Sequence, residues 1–167
     1  MHFIKKIIQY FKKGHHIEFI NDEFNDENIE QQFTLLQTAY FQLHSSLNNT
    51  LFDTNLEIDA IGNYSVDGHN PWDEESKYSG SLQIQKNDNQ YHLDWAVGIS
   101  NIYQKGIGKV IKNFLVVHFD YKDKEHTFKG LVIYRQIDKD TLAGFWIEEG
   151  IFEVGFECLK LKNRGFQ

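Results

Sequence analysis

The fold is decided by a stretch in the middle of the chain, residues 90–123, which reads QYHLDWAVGISNIYQKGIGKVIKNFLVVHFDYKD. Apolar residues occupy every second position from Tyr91 to Val97, and again from Leu115 to Phe119. A period of two is typical of β-strands that bury one face. The apolar runs are separated by short segments of turn-forming residues, so this stretch predicts consecutive strands joined by tight turns.

The same pattern continues in both directions along the chain. It predicts strands at residues 57–66, 77–86, 90–98, 101–111, 114–122, 127–137, 141–148 and 151–162. Most of the connections are only two or three residues long, and such connections force neighbouring strands to run antiparallel. Closure of the meander removes the two edges that an open sheet would expose. The predicted fold is therefore mainly β with N-terminal helices, built on an eight-stranded antiparallel up-and-down barrel.

Glycine recurs inside these predicted strands, where it normally weakens the pairing. The positions are Gly62, Gly80, Gly106, Gly108, Gly130, Gly144 and Gly155. Glycine in a strand suits either the sharp bends of a small barrel or the close approach of a packed aromatic ring. Both interpretations favour a closed barrel.

A helix is predicted ahead of the barrel, over residues 26–48. Its apolar stripe has the alternating spacing of four and three residues that one helix face requires. The stripe comprises Ile29, Phe33, Leu36, Tyr40, Leu43 and Leu47. Such a stripe is buried either in a coiled-coil dimer or against the barrel, and we favour the barrel. Residues 1–55 are thus expected to form a helical segment packed on a barrel domain of residues 56–167.

A shorter amphipathic segment, residues 2–13, opens the chain with isoleucines and phenylalanines opposed by lysines. A basic amphipathic helix can lie on a membrane surface. Packing against the rest of the protein is the alternative that we prefer. The segment lacks the continuous apolar run and the cleavage site of a secretory signal, so the expected location is the cytoplasm.

Composition narrows the classes of partner. The 167 residues carry a net charge of −7, and 41% of them are hydrophobic. An acidic chain lacks the basic surface that nucleic acids require, so nucleic acid is not an expected partner. The single cysteine, Cys158, excludes an internal disulfide.

Several local patterns resemble a family of small bacterial β-barrels of the calycin, or lipocalin-like, type. The resemblance covers residues 60–161 and rests on Gly62-Asn63-Tyr64, Tyr78-Ser79-Gly80-Ser81-Leu82, Tyr91-His92-Leu93-Asp94-Trp95, Gly130-Leu131-Val132-Ile133-Tyr134, Leu142-Ala143-Gly144-Phe145-Trp146 and Gly155-Phe156-Glu157-Cys158-Leu159. It implies the barrel fold. In that family the barrel often holds a small apolar ligand, whereas some members inhibit enzymes.

No pattern in the sequence indicates catalysis or a bound cofactor. The eight histidines show no spacing that is typical of a metal site. Cys158 has no local sequence that would supply a base or an oxyanion site. We therefore expect a protein that is not an enzyme and that needs neither a metal nor a cofactor.

One hypothesis is a binding or inhibitory protein that acts by protein–protein contact, such as an immunity protein that neutralises a bacterial toxin or a secretion-system effector. The candidate contact residues are a tryptophan and the densest carboxylates, which would face a toxin with a basic surface. They are Trp72, Asp73, Glu74, Glu75, Glu148 and Glu149.

The alternative is a lipocalin-like carrier of a small apolar ligand inside the barrel. The candidate lining residues are Leu82, Leu93, Trp95, Val117, Ile133 and Trp146. An eight-stranded barrel is just wide enough for side chains to fill it. Because this chain is rich in aromatic residues, a filled interior is the expectation that counts against the carrier.

Overall fold

The computed structural model describes residues 26–44, 49–71, 76–151 and 153–164. These residues form one α-helix, α1 (Ile29–Leu43), a short 3₁₀ helix (Asn49–Phe52) and eight β-strands. The strands are β1 (Gly62–His69), β2 (Lys77–Asn87), β3 (Gln90–Val97), β4 (Ile102–Ile111), β5 (Phe114–Asp123), β6 (His126–Asp138), β7 (Thr141–Glu148) and β8 (Gly155–Asn163).

The strands close into a barrel in which each pairs antiparallel with the next along the chain. Closure comes from β1 and β8, which pair from Asn63 opposite Asn163 to His69 opposite Phe156, with a register shift between Asn63 and Tyr64. The predicted eight-stranded antiparallel meander barrel is confirmed. Its β2 to β7 also begin and end within one residue of the predicted bounds.

The first strand lies later in the chain than predicted, because residues 57–61 are not paired into the sheet. They cross one end of the barrel, where Ile58 and Ala60 pack on the interior side chains. The Tyr64 hydroxyl donates to the Ala60 carbonyl at 2.9 Å, and the Asp59 amide donates to Gln136 Oε1 at 3.1 Å. This segment therefore covers that end of the barrel.

Helix α1 packs on the outside of the barrel wall. Its Ile29, Phe33 and Tyr40 are buried against the outer face of β5 to β8. The Phe33 ring centroid lies 5.0 Å from that of Phe114 and 5.5 Å from that of Phe145. The stripe is thus buried on the barrel, as predicted, although the helix ends at Leu43. Residues 45–48, with Leu47, lie outside the described residues.

The wall under the helix separates two apolar clusters, one inside the barrel and one between the wall and α1. All eight residues of β7 are consequently buried, since its two faces contact different clusters. A strand buried on both faces reads as a continuous apolar run rather than an alternating one, as Leu142 to Ile147 do.

Two further points concern the N-terminal region. The amphipathic segment 2–13 lies outside the described residues, so its membrane contact stays a prediction. Within the part of the chain that the structure describes, no helix has the length and apolar character needed to span a bilayer.

Replacement of Phe33 by alanine should remove the ring that joins α1 to the wall. Loss of a buried phenylalanine leaves a cavity that costs about 3–5 kcal/mol. We expect Phe33→Ala to lower the free energy of unfolding by about that amount, measured by urea denaturation. Gln31→Ala, an exposed site on the same helix, is the matched control. Equal stability of the two variants would contradict the packing described.

Candidate ligand-binding cavity

The barrel interior is filled in one half and open in the other. In the half beneath residues 57–61, apolar side chains including Tyr64, Leu82, Leu93 and Leu159 pack together and are almost fully buried. In the other half a cavity of about 230 Å³ remains. The expectation of a filled interior therefore holds for one half only.

The cavity lies at the barrel end where the connections β1–β2, β3–β4, β5–β6 and β7–β8 emerge. Its lining comprises Asn70, Tyr78, Trp95, Val97, Gly98, Ile102, Gln104, Phe119, Tyr121, Val132, Tyr134, Trp146, Glu148 and Glu157. Six of these side chains are aromatic, and two are carboxylates. A mostly apolar pocket with a few convergent polar groups is typical of small-molecule sites.

Glycines on neighbouring strands make room for the aromatic rings of the lining. A Cβ atom added to Gly155 would overlap the Trp146 ring, and one added to Gly68 would overlap the Tyr78 ring. Each ring therefore packs directly over a glycine of a neighbouring strand. This geometry agrees with the interpretation of the strand glycines as sites where an aromatic ring approaches the backbone.

Glu157 forms the polar centre of the cavity wall. Only 5% of the residue is exposed. Its Oε1 accepts the Tyr134 hydroxyl at 2.5 Å and the Trp95 indole N–H at 3.1 Å. Its Oε2 accepts the Tyr78 hydroxyl at 2.8 Å. These three donors come from β2, β3 and β6, so the carboxylate ties together strands that are distant along the chain.

The pKa of Glu157 reflects two opposed effects. Burial raises it above its ordinary value, because a charged carboxylate loses its hydration. The hydrogen bonds from Tyr134, Trp95 and Tyr78 lower it, because they stabilise the charged form. Burial is the larger effect, and the net shift is upward.

Glu148 is the second buried carboxylate, and it has fewer partners. It is 7% exposed, and the Tyr121 hydroxyl lies 3.1 Å from its Oε1 and 3.0 Å from its Oε2. Burial raises the pKa of Glu148, and the hydrogen bond from Tyr121 opposes the rise. A single hydroxyl proton leaves most of the acceptor capacity of this carboxylate unused.

Trp146 contributes a buried polar atom beside the same network. Its indole N–H is buried and has no acceptor in hydrogen-bond geometry. It interacts with the Tyr78 hydroxyl as a weak hydrogen-bond donor. Burial raises the pKa of that hydroxyl well above its ordinary value, Glu157 adds to the rise, and Trp146 opposes it. The Trp146 indole therefore belongs to the network around Tyr78 and Glu157.

Five of the six residues proposed to line a ligand site do face the interior. Trp95 and Trp146 line the cavity itself, whereas Leu82, Leu93 and Val117 belong to the packed interior cluster. Ile133 is a correction, because it faces outward and packs in the cluster beneath α1. Both faces of β6 are apolar there, so alternation alone could not distinguish them; its neighbour Val132 lines the cavity instead.

The six proposed protein-contact residues have different outcomes in the structure. Residues 72–75, with Trp72, Asp73, Glu74 and Glu75, lie outside the described residues. Glu148 is a correction, since it points into the barrel and cannot form part of an outer acidic patch. Glu149 is half-buried in the turn that follows, where its amide donates to the Lys129 carbonyl at 2.9 Å. Its role in partner binding stays a prediction.

Glu157, Tyr78, Tyr121 and Tyr134 were missed as site residues from the sequence. A usable indication existed for Glu157, because a period of two places it on the same face as Gly155 and Leu159. A carboxylate at an inward position of a barrel strand requires partners. The tyrosines carried no such indication, because tyrosine is an ordinary strand residue.

No protein-family profile matches the sequence, and no curated protein matches it either. Among solved structures, the chain is similar to a redesigned β-barrel, mFAP1, described as bound to DFHBI, with a TM-score of 0.47 and 11% identity. The match covers 61% of this chain and 94% of that one. It is also similar to a mutant of the fluorescent protein UnaG, with a TM-score of 0.40, 12% identity, and coverage of 64% and 96%.

The network around Glu157 can be tested by Glu157→Gln. The amide keeps the shape of the side chain but replaces one acceptor oxygen with a donor, which leaves at least one of the three buried donors unpaired. We expect the free energy of unfolding to fall by about 1–3 kcal/mol, measured by urea denaturation at neutral pH. Glu149→Gln makes the same change in the adjoining turn and should be near neutral. An unchanged stability in Glu157→Gln would refute the network.

The raised pKa of Glu148 has a consequence for stability. The folded protein holds this proton to a higher pH than the unfolded chain does. The contribution of Glu148 to stability is therefore greatest below the ordinary carboxyl pKa and falls as pH rises through the raised folded value. We expect Glu148→Gln to flatten this fall in urea denaturations from acidic to neutral pH. A pH profile parallel to that of Glu149→Gln would show that Glu148 is not desolvated.

Proposed function

We propose that this protein binds a small molecule in the cavity of its barrel and does not transform it. The observation that carries the proposal is the conjunction of a cavity of about 230 Å³, walls of aromatic rings, and polar groups that converge on it. Such a conjunction is the default indication of a ligand site. The function corresponds to the lipocalin-like carrier alternative, without its restriction to an apolar ligand.

The access to the cavity supports this proposal. Residues 57–61 cover the opposite end of the barrel, and the filled half of the interior lies between them and the cavity. At the cavity end, Ile102 lies on the rim and is 36% exposed. A ligand would therefore enter and leave at this end.

The absence of a catalytic role is part of the same proposal. Cys158 is the only cysteine of the chain, and its position on β8 faces away from the cavity, in contact with the cluster beneath α1. Burial raises the pKa of its thiol, which disfavours the thiolate that a nucleophile requires. Among the described residues, no group of three side chains could hold a metal ion.

The immunity-protein hypothesis gains no support. The acidic composition that motivated it is equally consistent with solubility. One of its six contact residues, Glu148, points into the barrel. It stays a prediction for the other residues.

Gln104→Trp tests the proposed function. Gln104 is half-buried in the cavity lining, so an indole there should fill the cavity. We expect fragments that bind the wild-type protein in a ligand-observed NMR screen to lose binding to this variant by at least about tenfold.

The matched control is Lys109→Trp, because Lys109 is exposed on the outward face of the same strand, β4. It should bind the same fragments as the wild type. The proposed function fails if no fragment binds, or if every binding fragment tolerates Gln104→Trp.

A further inference from the structure

The ionisable side chains that line the cavity include acids but no bases among the described residues. Its lining includes two carboxylates, Glu148 and Glu157, and none of the described lining residues is a lysine, arginine or histidine. Nor does any described cation lie within ion-pair distance of either carboxylate. Buried charges are ordinarily paired, because an unpaired one loses its hydration without compensation. The cavity therefore offers two acidic side chains that no described cation pairs with.

The two carboxylates are not equally available. Glu157 already accepts three hydrogen bonds, from Tyr78, Trp95 and Tyr134. Glu148 accepts only the Tyr121 hydroxyl, shared between its two oxygens. A carboxylate has about four lone-pair sites, so Glu148 retains room for the N–H groups of a ligand cation. The free acceptor of the cavity is thus Glu148.

An aromatic ring lies beside this carboxylate. Trp146 also lines the cavity. Trp146 and Glu148 are successive inward residues of β7, so their backbones are about 6.5 Å apart. The ring and the free acceptor therefore lie on the same wall, within the span of one small molecule.

The remaining walls favour a flat cationic ligand. Trp95, Phe119, Tyr121 and Tyr134 contribute aromatic rings to the lining, and the faces of such rings attract cations as well as planar apolar groups. The cavity, at about 230 Å³, is smaller than the roughly 300–1,000 Å³ that is common for drug-sized ligands. The ligand should therefore be small.

We infer that the ligand is a small arylalkylamine bound as its ammonium cation, with the ammonium against Glu148 and the ring between the aromatic walls. This inference rests on the proposed function and adds the class of ligand to it. The chemistry requires a cation and a ring, and disfavours carboxylate ligands, which would lie against two buried acidic side chains with no described cation beside them.

The test uses three probes that share a phenol ring and differ in one group: tyramine, which is a cation; tyrosol, which is neutral; and 4-hydroxyphenylacetate, which is an anion. Isothermal titration of the wild-type protein should give the order of affinity tyramine, tyrosol, 4-hydroxyphenylacetate. We expect tyramine to exceed tyrosol by about 10- to 100-fold, the range for a hydrogen bond to a charged group. This comparison requires no variant.

Two variants test which cavity residues determine the preference for the cation. Glu148→Gln should reduce tyramine affinity to about that of tyrosol, whereas Glu149→Gln should leave it unchanged. Trp146→Phe, which keeps an aromatic ring on the same wall, should preserve the preference for the cation. Thermal melting checks that each variant is folded.

The inference is overturned if tyramine does not bind, if tyrosol or 4-hydroxyphenylacetate binds as tightly, or if Glu148→Gln keeps the preference for the cation. The proposed function has a separate outcome, because fragments of any charge whose binding is lost in Gln104→Trp would still support it. It fails only if no fragment binds in the NMR screen, or if every binding fragment tolerates Gln104→Trp.

Discussion

The pairing of β1 with β8 is the constraint on which the rest of the structure depends. It joins residues far apart in the chain; Asn63 and Asn163, at the end of this pairing, also hydrogen-bond through their side chains across 100 positions. Once the ring of strands is closed, every residue is assigned to an inner or an outer face, and a slip of one position in any strand would reverse both faces. The donors to Glu157 come from β2, β3 and β6. Side chains from these different parts of the barrel can meet at one carboxylate only because the barrel is closed.

Much of this architecture could be predicted from the sequence, and the exceptions have physical reasons. Strands β2 to β7 lie within one residue of their predicted bounds, because alternation and short turns define both ends. The first strand was placed too early, since Ile58 and Ala60 alternate with acidic residues while they cross the barrel end. Ile133 was assigned to the wrong face, because α1 makes the outer surface of that wall as apolar as the inner one.

Less of the candidate site than of the fold could be predicted from the sequence. Trp95 and Trp146 were identified because large inward aromatic residues are natural lining groups. The partners of Glu157 could not be inferred, as Tyr78 lies 79 residues away from it. The size of the cavity depends on how rings from different strands fit against one another, which no local pattern records. Glu148 was interpreted as part of a loop cluster with Glu149, although the last residue of a strand and the first of a turn face different surroundings.

The seating of aromatic rings on glycines bears on how such a protein could change over evolution. Trp146 with Gly155, and Tyr78 with Gly68, each occupy two strands, so a larger residue at the glycine would be tolerated only with a smaller one at the ring. The shape of the cavity would then change by paired exchanges that leave the hydrogen bonds between the strands unchanged. In an alignment of relatives, these positions should covary, and the covarying pairs would trace the outline of the cavity before any ligand is known.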